Sequence, residues 1–429
     1  MLHATLLRSV PRANSVLKTP PETVRLVFSE AVVPELSQIA LVLRDAQKVV
    51  IDSVRLPVAN DPHDVHTLIG RVSGLRAGRH TVIWRVLSAD GHPISGNFAF
   101  VVESGSLEAA APTSSSTAPV LSNSGAKDTL VAPTTTSATS DAMTVPVLAS
   151  LLRGIGLGAL MAGLGLLFFA VTGREHREHA PRHVIVSLIT IGAILLVAHM
   201  FAWLVHASPI RSLSSDFIAS AFGSTVGRIE LLRVALAILA LLAVALARRE
   251  TLALIFGAAC LVVSGAVGHP AAIHPYLSIP AKMAHLLGAS LWLGGLLWLV
   301  WLSRCHEAAC RSEARRVSSV ALIMVIVIFL TGSLETVLFL NSPGDLINSA
   351  YGRLVLAKVI GLTILVGFGA YNKFRILPRL DDSEGPSRLA RSVSQELIIV
   401  TIVILIGGFL ANVPTPPSPQ SSVSVFTGR

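Results

Sequence analysis

Residues Thr81–Gly96 read TVIWRVLSADGHPISG, an apolar run that ends in a short polar turn. The β-branched and aromatic residues of the run predict a strand. Asp90 and His92 lie two residues apart, so on an extended segment both side chains project from the same face. Their carboxylate oxygen and imidazole nitrogen suit Cu(II), zinc or iron, and His3 is the first candidate for a further ligand. The alternative is a polar turn in which Asp90 caps backbone amides.

The predicted strand belongs to an N-terminal segment, residues 1–103, that reads as all-β. Short β-branched or alternating runs recur along it, separated by Pro, Gly, Asn and Asp. About seven strands in roughly 100 residues predict a Greek-key sandwich or barrel. The clearest runs are Val24–Phe28, Ile39–Leu43, Val49–Val54, Val65–Ile69, Thr81–Leu87 and Asn97–Val102.

The composition changes twice after this domain. Residues 104–142 are rich in Ser, Thr, Ala and Pro, so we expect a flexible linker. Residues 143–412 are strongly apolar, and the whole chain has a mean hydropathy of +0.68 with 14% charged residues. Such values are typical of an all-α bundle embedded in a bilayer. Residues 413–429 read as a disordered tail outside the membrane.

The apolar part contains about eight stretches long enough to cross a bilayer. The loops after the first, third, fifth and seventh stretches carry most of the basic residues, so the positive-inside rule makes these loops cytoplasmic. We therefore expect the β domain and the C-terminus on the periplasmic or extracellular side of the cell (inner) membrane. The location of these charges also explains the net charge of +9 without a nucleic-acid partner. The stretches are at about 145–171, 184–206, 228–247, 251–269, 280–302, 317–340, 353–372 and 394–412.

Ionisable and sulfur-containing side chains collect near the predicted outer ends of several stretches. His199 and His206 are seven residues apart and share a helical face. Ionisable groups inside a bilayer are costly, and by default they mark a site or a pathway. We predict a functional layer here, although histidines that merely reach the interface would give the same pattern. Its candidate members are His199, His206, His269, His285, Met283 and Glu335.

Three further clusters could also bind a metal, but solvated loops explain them as simply. Two lie on the predicted cytoplasmic side, where thiolates would suit Cu(I). The third lies in the β domain. Their residues are His176, His179 and His183; Cys305, His306 and Cys310; and His63 with His66.

The residues resemble two known families. Residues 3–103, through HATLLRSVPRANS, VRLVFSE and GLRAGRHTVIWRVLSADGHPISGNFAF, resemble the CopC copper-binding family. The second half resembles the CopD membrane family through HLLGASLWLGGL, YGRLVLAKV and the stretch end that contains Asn372. The whole chain is similar to a CopC–CopD fusion.

The resemblance implies a Cu(II) site in which the mature N-terminal histidine binds through both its amine and its ring. Carried over to this chain, the ligands would be His3, Asp90 and His92, with Glu30 as a partner that orients an imidazole. Two residues precede His3, so this assignment requires their removal or a different start. If they remain, an amino-terminal chelate could form without Asp90 and His92. We expect no Met-rich Cu(I) site, because the domain has no methionine after its first residue.

Together these features predict a copper-binding membrane protein that is not an enzyme. We expect it to capture Cu(II) outside the membrane and to move copper inward, with Cu(I) as the form in transit. Its partners would be copper ions, the lipid bilayer, periplasmic copper donors and cytoplasmic copper acceptors. One alternative is a haem-binding electron carrier or cupric reductase, because histidines on facing helices can ligate haem. Another is a copper chaperone or assembly factor without translocation.

Overall fold

The protein consists of an N-terminal β domain and a C-terminal helix bundle. The computed structural model describes residues 6–44, 50–88, 93–103, 147–207, 215–266 and 274–411, together with residues 413 and 416. The predicted linker, residues 104–142, lies outside these ranges, as does most of the predicted tail.

Two antiparallel sheets form the β domain. One has the strand order β1-β3-β7-β6, and the other has β2-β9-β8-β4-β5, in which only the β2–β9 pair is parallel. The domain is therefore all-β, as expected, and the described residues contain nine strands where the sequence predicts about seven. The strands are β1 Leu6–Val10, β2 Val16–Leu17, β3 Thr23–Phe28, β4 Val32–Arg44, β5 Val50–Leu56, β6 Val58–Asp61, β7 Asp64–Arg71, β8 Gly78–Ser88 and β9 Pro93–Val102.

The core of the β domain lies between the two sheets. Strand β3 alternates buried and more exposed residues, which is the period of a strand with one face in the core. Trp84 of β8 packs edge-on against Phe28 of β3, with ring centroids 5.3 Å apart. Gly96 of β9 makes room for this indole, because a Cβ there would lie 2.5 Å from Trp84 Cζ2.

Each of the eight predicted spans coincides with a helix, but six of the described helices are long and apolar enough to cross a membrane. The helices at the third and fourth predicted spans are not among these six. Helix α4 carries three charged residues, Arg228, Glu230 and Arg233, and α5 has only 16 residues. The expected count of about eight crossings is therefore not confirmed. The helices are α1 Val147–Thr172, α2 Arg182–Ala207, α3 Ser215–Gly223, α4 Thr225–Ala245, α5 Glu250–Gly265, α6 Pro275–Cys305, α7 Glu307–Phe339, α8 Asp345–Asn348, α9 Ala350–Tyr371 and α10 Gly385–Leu410.

Helix α1 packs against α2, α5, α6 and α10. Small residues let the helices approach closely, as is common in membranes. A Cβ on Gly294 of α6 would lie 2.0 Å from the carbonyl carbon of Gly165 of α1. A Cβ on Gly408 of α10 would lie 2.8 Å from the Cα of Gly154. These contacts leave no room for side chains at the helix crossings.

Candidate functional site

The end of strand β8 leads directly into the predicted metal ligands. Ser88 is fully buried, and its hydroxyl donates a hydrogen bond of 2.9 Å to the Glu30 carboxylate. The backbone N–H of Leu87 donates to the Ser37 hydroxyl at 3.3 Å. These two bonds hold the strand end in place two residues before Asp90. Glu30 is therefore bonded to the last residue of β8, and its role in orienting a ligand stays a prediction.

The three predicted Cu(II) ligands themselves lie outside the described residues. They are His3, Asp90 and His92, and the membrane candidate His269 lies outside as well.

The β domain contacts the helix bundle through this same strand end. Between Val33 and Gln38, strand β4 carries three more residues than the paired part of β8, and this bulge brings Leu36 to the helices. The Arg85 guanidinium donates a hydrogen bond of 3.0 Å to the backbone carbonyl of His206, at the end of α2. An apolar contact, the domain interface, surrounds these residues. Its buried members are Leu36, Leu87, Trp203, Leu204, Ala207, Ala221 and Val226.

We call the end of the bundle that meets the β domain the β-proximal end. One polar cluster lies in its interior, around His199 of α2. His199 Nδ1 is 3.0 Å from the carbonyl oxygen of Ala149, and Nε2 is 3.9 Å from Glu230 Oε1. Glu230 also forms a tight ion pair with Arg233, one turn further along α4. All of these side chains are almost completely buried.

A second polar cluster connects α6, α7 and α9. His285 Nδ1 of α6 is 3.0 Å from the Thr331 hydroxyl of α7. Lys282 Nζ lies 3.6 Å from Glu335 Oε2, which joins the same two helices. Lys358 of α9 is close enough to Lys282 to be repelled by its charge and close enough to Glu335 to be attracted by its charge. A cavity of about 130 Å³ is lined by His285, Lys282 and Lys358 and reaches Arg153 of α1.

Three of the six predicted members of the layer lie in these two clusters. His199, His285 and Glu335 lie inside them, whereas the His206 side chain is exposed at the end of α2. Met283 packs on Gly265, where an added Cβ would lie 3.0 Å from its Cγ. Within the described ranges, no three His, Cys, Asp or Glu side chains are close enough together to hold a metal ion.

Arg153 and Glu230 are members of this polar interior that were not predicted from the sequence. The available signal was an ionisable residue inside an apolar run, the same signal that selected Glu335. Arg153 is 8% exposed and Glu230 is 2% exposed, so both are interior residues. Glu230 faces His199 from a different helix, and a single sequence does not reveal which helices are neighbours.

The remaining histidine clusters have simpler surroundings. His179 and His306 stack at the opposite end of the bundle, with ring centroids 3.9 Å apart, and Cys305 beside them is exposed. In the β domain, His66 Nδ1 lies 3.0 Å from Asp64 Oδ1 at the exposed start of β7. The pKa of Asp64 is below its ordinary value because the Thr67 hydroxyl and the His66 N–H donate hydrogen bonds to its carboxylate.

Comparison with known proteins gives matches to both parts of the chain. The CopC domain family matches residues 6–103, and the family Copper resistance protein D matches residues 311–410. The copper transport protein CutJ of Bacillus subtilis is 25% identical over 440 residues, which cover 97% of this chain and 75% of CutJ. Copper resistance protein C of Escherichia coli is 36% identical over 109 residues, which cover 24% of this chain and 83% of that protein.

One solved structure illustrates the match to the β domain. The crystal structure of PcoC, a methionine-rich copper resistance protein from Escherichia coli, is 31% identical. The alignment covers 24% of this chain and 100% of that one, with a TM-score of 0.21.

Proposed function

Because the chain belongs to the CopC family through its β domain and to the CopD family through its helices, as a CopC–CopD fusion, we propose that it captures Cu(II) outside the cell membrane and passes copper inward. It is a multi-pass membrane protein of copper resistance or transport. In this proposal it acts by binding and transfer, not as an enzyme. Periplasmic donors would supply copper, and cytoplasmic acceptors would receive it.

The domain interface is the observation that carries this proposal. Leu87 of strand β8 is buried among helix residues of the bundle, and Arg85 binds the end of α2. The candidate ligands Asp90 and His92 follow this strand end by two to four residues. A packed contact, as well as the linker, therefore joins the domain that would capture copper to the bundle that would pass it inward. His3 would complete the Cu(II) site, since nitrogen and oxygen ligands suit Cu(II).

The polar interior below the interface supports a path and not a storage site. His199 and His285 each have one ring nitrogen occupied by a local partner, Ala149 or Thr331. Neither lies in a set of three metal-binding side chains among the described residues. Weak and separate contacts suit an ion that must leave as easily as it enters. In this proposal, copper crosses as Cu(I) and meets imidazole nitrogens in turn.

The arrangement of basic residues supports the proposed orientation. At the end of the bundle far from the β domain, Arg177 pairs with Glu250, and Arg182 donates to the carbonyl of Val244. Arg316 contacts Thr172 and Phe169 at the same end. Positive charge is typical of the cytoplasmic side. The β domain would then lie on the periplasmic or extracellular side.

Electron paramagnetic resonance of the full chain, titrated with Cu(II) in lipid nanodiscs, tests the capture site. We expect one tetragonal Cu(II) signal in the unaltered chain and its loss in His92→Ala. His66→Ala is the matched control, because His66 is an exposed histidine of the same domain and its partner is Asp64. A signal that persists unchanged in His92→Ala would contradict the assignment.

Copper flux into proteoliposomes tests transport separately. We expect copper to accumulate inside when it is supplied on the β-domain side with a reductant, and less so in His285→Ala. Loading of the protein with Cu(II) but no internal copper would contradict transport and favour a chaperone. A haem absorption band in the purified protein would favour the electron carrier instead.

A further inference from the structure

The interior of the β-proximal half contains more positive than negative charge. Among the described residues of the two polar clusters and the cavity, the cations are Arg153, Arg233, Lys282 and Lys358, and the carboxylates are Glu230 and Glu335. Arg233 pairs with Glu230, and Lys282 pairs with Glu335. Two cations remain, Arg153 and Lys358.

Both remaining cations line the same cavity. Arg153 reaches it from α1 and Lys358 from α9, and Lys282, His285 and Ser264 complete its polar lining. Arg153 is 8% exposed, and neither Arg153 nor Lys358 has a hydrogen bond or an ion pair within the described part of the chain. The cavity of about 130 Å³ exceeds the roughly 10–15 Å³ that one water molecule needs.

The charge of the cavity determines what it can hold. A buried cation without a partner is costly, and an opposite charge in contact with it removes most of that cost. The nearest carboxylates are already engaged, since Glu335 lies 3.6 Å from Lys282 and Glu230 is paired with Arg233. Arg153 and Lys358 both attract an anion, and a bound anion would offset their repulsion of a copper ion at His285, which lines the same cavity.

We propose that this cavity, lined by Arg153 and Lys358, is a binding site for a small inorganic monovalent anion of the chloride class. The remaining lining is apolar, with side chains such as Leu157 and Trp292, so a large hydrated polyanion is excluded. A weakly hydrated halide suits a small, partly apolar cavity with two cationic groups in its lining. The site is distinct from the predicted Cu(II) ligands, and it does not depend on copper transport.

Equilibrium binding of radiolabelled chloride to the full chain in nanodiscs, without copper, tests this site. We expect saturable binding of one chloride per chain, weakened at least tenfold in Lys358→Met and largely retained in Lys358→Arg. The matched control is Arg353→Gln, because Arg353 is an exposed cation near the start of the same helix. No saturable binding, or equal binding in the unaltered chain and Lys358→Met, would overturn the proposal.

A second measurement does not depend on any variant being folded. Crystals of the unaltered protein grown in bromide would show anomalous scattering from a bound ion. A peak inside the cavity, next to the Lys358 ammonium or the Arg153 guanidinium, supports the site. A cavity without a peak at saturating bromide overturns it.

Discussion

Arg233 is fully buried in α4, and it is tolerated there because Glu230 lies one turn earlier on the same helix. Removing one charge of a buried pair leaves the other uncompensated, whereas removing both can be nearly neutral. We therefore expect Glu230→Gln to lower the free energy of unfolding by about 3 kcal/mol. The double variant Glu230→Gln/Arg233→Met should lose less of the free energy of unfolding. Thermal unfolding in detergent micelles, followed by circular dichroism, measures both.

An exposed ion pair on another helix is the control for this comparison. Glu384 and Arg388, at the start of α10, are paired at 2.8 Å with both side chains more than half exposed. Glu384→Gln should change stability little, because exposed pairs contribute little. Equal effects of Glu384→Gln and Glu230→Gln would contradict the role of burial. A double variant as unstable as Glu230→Gln alone would contradict the pairing argument.

At the scale of elements, the crossing of α1 and α6 depends on two glycines. A Cβ on Gly294 would lie 2.0 Å from the Gly165 carbonyl carbon, so Gly294→Ala must push the helices apart. Overpacking of this kind costs about 1–3 kcal/mol. Gly367→Ala in α9 is the control, since nothing lies within 4 Å of its added Cβ. That control should be neutral or stabilising, because alanine favours helix. Chemical unfolding in micelles compares the two, and equal losses would contradict the close crossing.

Local patterns predicted the elements, because hydropathy and strand alternation are properties of neighbouring residues. Apolar runs indicated all eight longer helices, and the run around Trp84 indicated strand β8. The contact between Gly294 and Gly165 could not be predicted in this way, because it depends on which helices become neighbours. Glu230, which faces His199 from α4, carried the same local signal as His199 and was not selected; the contact between the two could not be predicted from one sequence. Short strands such as β2, with two residues, offer too little pattern to detect.

Within the described ranges, a packed interface joins two very different domains. The β sandwich has its own core, which does not include Leu36. Leu36 is instead buried against Trp203, Leu204 and neighbouring helix residues. Its burial therefore stabilises the relative position of the domains more than it stabilises either domain. A charge introduced at this residue should separate the domains while both remain folded, because a buried unpaired carboxylate is costly.

We expect Leu36→Asp to release the β domain from the bundle. Spin labels on Ser95→Cys, an exposed residue of β9, and on the native exposed Cys305 report the distance by pulsed paramagnetic resonance; Cys260 and Cys310 are buried. The distance distribution should be narrow in the unaltered chain and broad in Leu36→Asp. Leu7→Asp, at a half-exposed leucine of β1, should leave it narrow.

Copper measurements on the same two variants then link the interface to the proposed transfer. Cu(II) binding should persist in Leu36→Asp, because the candidate ligands lie in the β domain, while flux into proteoliposomes should fall severalfold. A narrow distance distribution in Leu36→Asp would contradict the interface. Unchanged flux despite a broad distribution would show that the linker alone suffices, since a mobile β domain would then deliver copper without the contact made by Leu36 and Arg85.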